Sequence, residues 1–200
     1  MNSRKLIHGL SFLIAFGALT IAAGAIPQTE QMSGKLVVRP ADATETPGVG
    51  TVGAAPVVTV NGTNAISGAT VFSDSTVTTA KGSSAVVSLG KLGRVEVFPD
   101  TTLKLTFTDS SITAMLEAGR VRVSSSSGVH ATTTTKDGQV VTTGERMNEF
   151  TVDVSCGDTF VSVKKGSVEL RAGNSVKQIA AGGQDTAGTA TPGCTRPGKH

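Results

Sequence analysis

The chain has 200 residues, with 18 Lys and Arg against 15 Asp and Glu, seven Phe, no Trp or Tyr, and two Cys. That length allows one domain with appendages, or two very small ones. The formal charge of +3 falls to about +1 once Met1–Ala25 is set aside, because Arg4 and Lys5 lie there and no acid does. The remaining basic residues are scattered singly, which does not support a nucleic-acid-binding surface, since that needs clustered charge on one face.

Residues 1–25 read as a signal peptide. Arg4 and Lys5 form a short positive region, "LIHGLSFLIAFGALTIAA" is the apolar run, and Ala23-Gly24-Ala25 has the small-x-small form that signal peptidase accepts. Cleavage after Ala25 predicts a periplasmic or secreted protein. The rival is an inner-membrane anchor over residues 6–26, about the length that spans a bilayer; His8, Gly9 and Ser11 shorten its strictly apolar part. The membrane is then met only through this segment, and only if it stays uncut.

Residues 26–55 contain Pro27, Pro40 and Pro47 and many small residues, and read as a linker or leader in which "KLVV" makes one short strand. From 56 to 184 the text is strand after strand. "VVTV" runs into Asn61-Gly62, a pair that favours a tight reversal because both positions accept positive φ. "SAVVSLG", "RVEVFP", "TLKLTFTD", "SITAML", "RVRVSS", "QVVTTG", "EFTVDVSCG", "TFVSVKKG", "SVELRAG" and "SVKQIAAG" follow. Most alternate apolar and polar residues with period two, as half-buried strands must. Only "SITAMLEAG" offers helical spacing, through Ile112, Met115 and Leu116, and Gly119 stops it. The fold class is all-β, a single domain of many short strands, built as a two-layer sandwich or a short solenoid-like stack. The expected core is Val58, Val60, Val71, Phe72, Val87, Leu89, Val95, Val97, Leu103, Leu105, Leu116, Val121, Val123, Phe150, Val152, Val161, Val163, Val168 and Leu170. The five Phe beyond residue 25, namely Phe72, Phe98, Phe107, Phe150 and Phe160, are all assigned to it.

Residues 185–200, rich in Gly, Ala and Thr, read as a disordered tail unless Cys194 pins them. In an oxidising compartment Cys156 and Cys194 invite a disulfide that staples the tail to the body. The other reading makes Cys156 a small buried hydrophobe and Cys194 a loose thiol.

One phrase recurs: "GRVEV" at Gly93, "GRVRV" at Gly119 and "GSVEL" at Gly166. In each, a glycine ends a tight turn and launches a strand. A turn that needs positive φ selects glycine without any ligand being involved. The phrase is therefore architectural.

Set in order, "VNGTNAISGATVFSDSTVTTAKGSSAVVSLG", "GRVEVFPDTTLKL", "LEAGRVRV", "VVTTGERMNEFTVDV", "TFVSVKKGSVEL" and "AAGGQ" resemble the periplasmic domain of FecR-like proteins, over about Val57 to Gln184. The resemblance implies a β module in the bacterial cell envelope that serves signalling by binding another protein. FecR-like proteins also carry a cytoplasmic anti-sigma segment, a membrane span and often a receptor-docking domain. Only Met1–Lys5 precede the apolar run here and only a tail follows Gln184, so the anti-sigma activity is not expected to carry over.

No grouping of side chains reads as catalytic, as a metal site or as a cofactor site. His130, within "SSSSGVHATTTT", is the one histidine of the body, and Ser124–Ser127 beside it make a solvated strand edge more readily than a Ser–His pair. Asp100, Asp109, Asp137, Glu145, Glu149, Asp153 and Asp158 are spaced singly, and the first three fall at turns. The expected function is non-enzymatic: an exported module that binds an envelope protein of unknown identity and senses or regulates, without nucleic acid or cofactor. The alternative is a structural or adhesive surface β protein.

Overall fold

A computed structural model describes residues 32–40 and 57–196. The expected signal or anchor, most of the expected leader and the last four residues lie outside them. In chain order the strands are β1 (Ser33–Pro40), β2 (Val58–Val60), β3 (Thr63–Asn64), β4 (Thr70–Phe72), β5 (Ser75–Thr79), β6 (Ser83–Ser88), β7 (Gly93–Val97), β8 (Thr101–Phe107) and β9 (Ser111–Ala118). Then come β10 (Arg120–Ser125), β11 (His130–Thr134), β12 (Gln139–Thr142), β13 (Asn148–Asp153), β14 (Thr159–Lys165), β15 (Ser167–Ala172), β16 (Ser175–Ala180) and β17 (Gln184–Ala187). A single 3-10 turn, Gly90–Leu92, joins β6 to β7.

The strands form two sheets of a sandwich-like single domain with no closed barrel. The first runs β17-β14-β13-β10-β7-β6-β1-β4 and the second β16-β15-β12-β11-β9-β8-β5-β2-β3. The expected choice between sandwich and solenoid-like stack thus falls to the sandwich. Apart from β1 and the β2–β3 hairpin, however, both sheets add strands in chain order, because the chain passes back and forth between the layers as it advances. Neighbours are antiparallel except β9 and β11, which are parallel because β10 between them lies in the other sheet.

Period-two alternation decides what each strand buries. In β8, Leu103, Leu105 and Phe107 face in; in β9, Ile112, Ala114 and Leu116 do; in β10, Val121 and Val123 do. The segment with helical spacing is therefore strand, and its Met115 points outward at 51% exposure. Seventeen of the nineteen expected core residues are buried. Val60 is half-buried, and Phe72 is 43% exposed because its neighbour Val71 takes the inward position. Nor are all five Phe in the core: Phe107 and Phe150 are, whereas Phe98 and Phe160 are half-buried on the outer face of the first sheet.

Two expected boundaries move. The "KLVV" segment, assigned to the leader, is β1, and it lies inside the first sheet between β4 and β6, paired over six residues with β6. The body therefore begins before residue 56. At the other end β17 pairs with β14, and Thr191 donates its N–H to the Cys156 carbonyl at 2.8 Å, so the described part of 185–200 is ordered against the body.

Candidate functional site

The three glycine phrases occupy close approaches of backbone. Gly119 alone separates β9 in the second sheet from β10 in the first, and Gly166 alone separates β14 in the first from β15 in the second. Their φ angles are +85° and +77°. A Cβ on Gly119 would stand 2.5 Å from the Asp100 carbonyl oxygen; one on Gly166 would stand 2.9 Å from that of Met147. Gly93, φ +126°, opens β7 with Ser124 backbone against the position a Cβ would take. Only Gly93 belongs to a reversal within one sheet. The other two are corners between layers, not the tight turns expected of them. All three are architectural.

Cys156 and Cys194 are disulfide-bonded. Arg196 reinforces the link through an ion pair with Asp158, whose side chain is 4% exposed, and its guanidinium lies 4.9 Å from the centre of the Phe160 ring. Together these hold the C-terminal segment on the body.

The outer face of the first sheet carries a row of alternating charges. Arg94 and Glu96 of β7, Arg120 and Arg122 of β10, and Glu149, Thr151 and Asp153 of β13 all face outward on adjacent strands. Register sets the neighbours: Glu96 lies opposite Arg122 and Arg122 opposite Thr151, while Ser124 lies between Arg94 and Glu149. Arg122 donates to Glu96 at 2.9 Å. Phe98, just beyond β7, has the Arg120 guanidinium 4.3 Å and that of Arg122 5.1 Å from its ring centre, both favourable cation–π distances.

At one end of this face the β6–β7 turn, the end of β10 and the start of β13 enclose a cleft of about 400 Å³. Arg94, Ser124, Ser125, Met147, Glu149 and Lys165 contribute to its lining. The Glu149 side chain is 9% exposed and accepts from Lys164 at 3.2 Å. The hydroxyl oxygens of Ser124 and Ser125 are buried without a hydrogen-bond partner.

The other single-letter suspects serve structure. His130 is exposed on β11 of the second sheet, while Ser124 and Ser125 belong to β10 of the first; no hydrogen bond among the described residues joins them. Asp100 takes φ +52° at its turn, Asp137 accepts from Lys136 and from the Thr159 hydroxyl, and Asp153 accepts from the Ser155 N–H and hydroxyl. Asp109 sits at the exposed β8–β9 turn and Glu145 in the turn before β13. Among the described residues no three His, Cys, Asp or Glu converge as a metal site, and no helix is long and apolar enough to cross a membrane. Sequence reasoning did not find the cleft. Arg94, Ser124 and Glu149 are 55 residues apart end to end, and only the register of three strands gathers them.

No family model and no curated protein matches the chain. Among solved structures, two crystal structures of a candidate anti-sigma factor from Parabacteroides distasonis, at 1.65 and 2.50 Å resolution, are similar to it. Both are 21% identical with a TM-score of 0.47, over 56% of this chain. The chain spans about half the length of those structures, 53%. At that distance the likeness concerns the β fold alone.

Proposed function

We propose that this chain is an exported, non-enzymatic envelope protein, FecR-like in kind, whose sandwich is a protein-binding module for sensing or regulation. The observation that carries this reading is the outer face of the first sheet, where Arg120 and Arg122 stack on Phe98 and Arg122 pairs with Glu96, with Arg94 further along β7. Arginine and aromatic side chains supply most binding hot spots, and the alternating charges give a partner register. Export rests on the signal-like Met1–Ala25 and fits the Cys156–Cys194 disulfide, since such bonds persist in oxidising compartments.

The test is photo-crosslinking in the cell from Thr151 on this face and from Thr113 on the opposite one. One envelope protein captured from Thr151, absent from Thr113 and lost in Arg122→Glu, is the expected result. The mature chain should begin at Ile26. Products containing only a second copy or wall polymer, captured from Thr113, would replace the reading with a scaffold or adhesive role. A specific feature favours that alternative. The outer face of the second sheet carries two rows of paired threonines, Thr59–Thr78–Thr102 and Thr106–Thr113–Thr132.

A further inference from the structure

The cleft at the end of the first sheet has chemistry that docking on the open face does not use. The Ser124 hydroxyl oxygen, on the outward row between Arg94 and Glu149, is buried without a partner, whereas Ser125 turns inward with Val121 and Val123 and meets the cleft only through its backbone. A buried hydroxyl left unbonded is costly, and a bound ligand relieves that cost. Between the exposed Arg94 and Lys165 lies the buried Glu149, with one carboxylate oxygen engaged by Lys164. Met147, 53% exposed, gives the lining an apolar patch.

The charges select the ligand. A simple anion entering the cleft meets the Glu149 carboxylate at close quarters. A simple cation meets Arg94, Lys165 and Lys164. An uncharged molecule bearing several hydroxyls avoids both penalties, because each hydroxyl donates and accepts. Its hydroxyls donate to Glu149, accept from Arg94 and Lys165, and do either with Ser124, while Met147 covers a carbon-bound hydrogen face. We infer that this cleft binds a saccharide unit, free or at the end of a glycan. The volume, about 400 Å³, lies within the range of about 300–1,000 Å³ common to small-molecule sites. The absence of any aromatic ring from the lining makes the binding weak, with half-saturation on the order of 1 mM. The inference goes beyond protein docking and does not depend on it.

The experiment is amide chemical-shift titration of the ¹⁵N-labelled protein purified from the exporting cell. Glucose, galactose, N-acetylglucosamine, lactose and maltose are added singly, with sodium phosphate and glycine as ionic counter-probes. At least one sugar should shift Gly93, Arg94, Ser124, Ser125, Ser126 and Lys165 saturably. Arg94→Ala and Ser124→Ala, each with an otherwise unchanged spectrum, should each weaken that sugar about tenfold, the loss of one good hydrogen bond to a charged or buried group. A free sugar that binds at a glycan's terminal unit will compete with the glycan; one that binds alone marks a free-sugar site. Failure of all five sugars to shift these amides overturns the inference. So does tighter binding of phosphate or glycine, or a sugar response that survives both variants. A null result here leaves the crosslinking outcome untouched, so the two readings fail separately.

Discussion

Replacing Gly119 with alanine tests whether the repeated glycine phrase marks corners or merely turns. Two terms oppose the new methyl group. The φ of +85° is a left-handed conformation that costs an alanine about 1 kcal/mol. The methyl would also stand 2.5 Å from the Asp100 carbonyl oxygen and 2.6 Å from the Thr101 Cα, both backbone atoms that no rotamer change can move. Thr101 cannot easily retreat, because it is 1% exposed and its hydroxyl accepts the Arg120 N–H at 3.0 Å. Forced overpacking of this kind adds about 1–3 kcal/mol, for a total of about 2–4 kcal/mol. In a domain of this size that lowers the melting temperature by roughly 10 °C. Gly144→Ala is the control: its φ is +84°, but nothing lies within 4 Å of the added methyl. It should cost only the conformational term, about 1 kcal/mol. Urea titration followed by far-ultraviolet circular dichroism measures both. Equal losses in the two variants would refute the argument that close approach at the layer corner selects Gly119.

Further outcomes follow from other contacts. Cys194→Ser removes a crosslink between residues 38 apart, which on loop entropy costs about 4 kcal/mol and should lower the urea midpoint accordingly; an unchanged midpoint would mean the tail contributes nothing to global stability. Arg196→Ala leaves Asp158 buried without its cation and should cost about 3 kcal/mol, most of it regained when Asp158→Asn is added; additive losses would argue against the pair. The Lys177 ammonium and the Thr186 N–H hold the Asp185 carboxyl below its ordinary value. Because the folded pKa is the lower one, the stabilisation is complete above the ordinary aspartate range and is lost as pH falls through the folded value. Asp185→Asn should therefore lower stability at neutral pH, leave it nearly unchanged below the folded pKa, and so flatten the acid limb of the stability profile; an acid limb identical to the parent's would count against the pair.

Much of the fold was legible because period-two alternation is a strong signal wherever one face of a strand is buried. It worked for β8 through β15, whose apolar residues are nearly all inward. It failed where strands bury little. Gln184-Asp185-Thr186-Ala187 buries only Ala187, so β17 is held by backbone pairing at a sheet edge and leaves no apolar pattern to read. β1 was visible as four residues, but nothing in "KLVV" says that its partners lie about 35 to 50 residues onward. The phenylalanines misled for another reason. Phe98 and Phe160 find cover under arginine side chains instead of the core, and which arginine reaches which ring depends on strand register. The same dependence hid the cleft. Gly119 and Gly166 were recognisable as positive-φ positions, but a turn becomes a corner only when the next strand joins the other sheet.

The place of β1 has a consequence for maturation. Among the described residues it is the sole ladder partner of β4 and the only strand on that side of β6, so it acts as a keystone supplied by the first described strand. Proteolytic trimming that stops before Met32 leaves β1 and its two described ladders in place. A cut only a few residues later would split the sheet, stranding β4 and baring the edge of β6 to any other strand that could pair with it. Such an edge is a template for aggregation. N-terminal trimming that keeps the first sheet intact therefore ends ahead of Ser33.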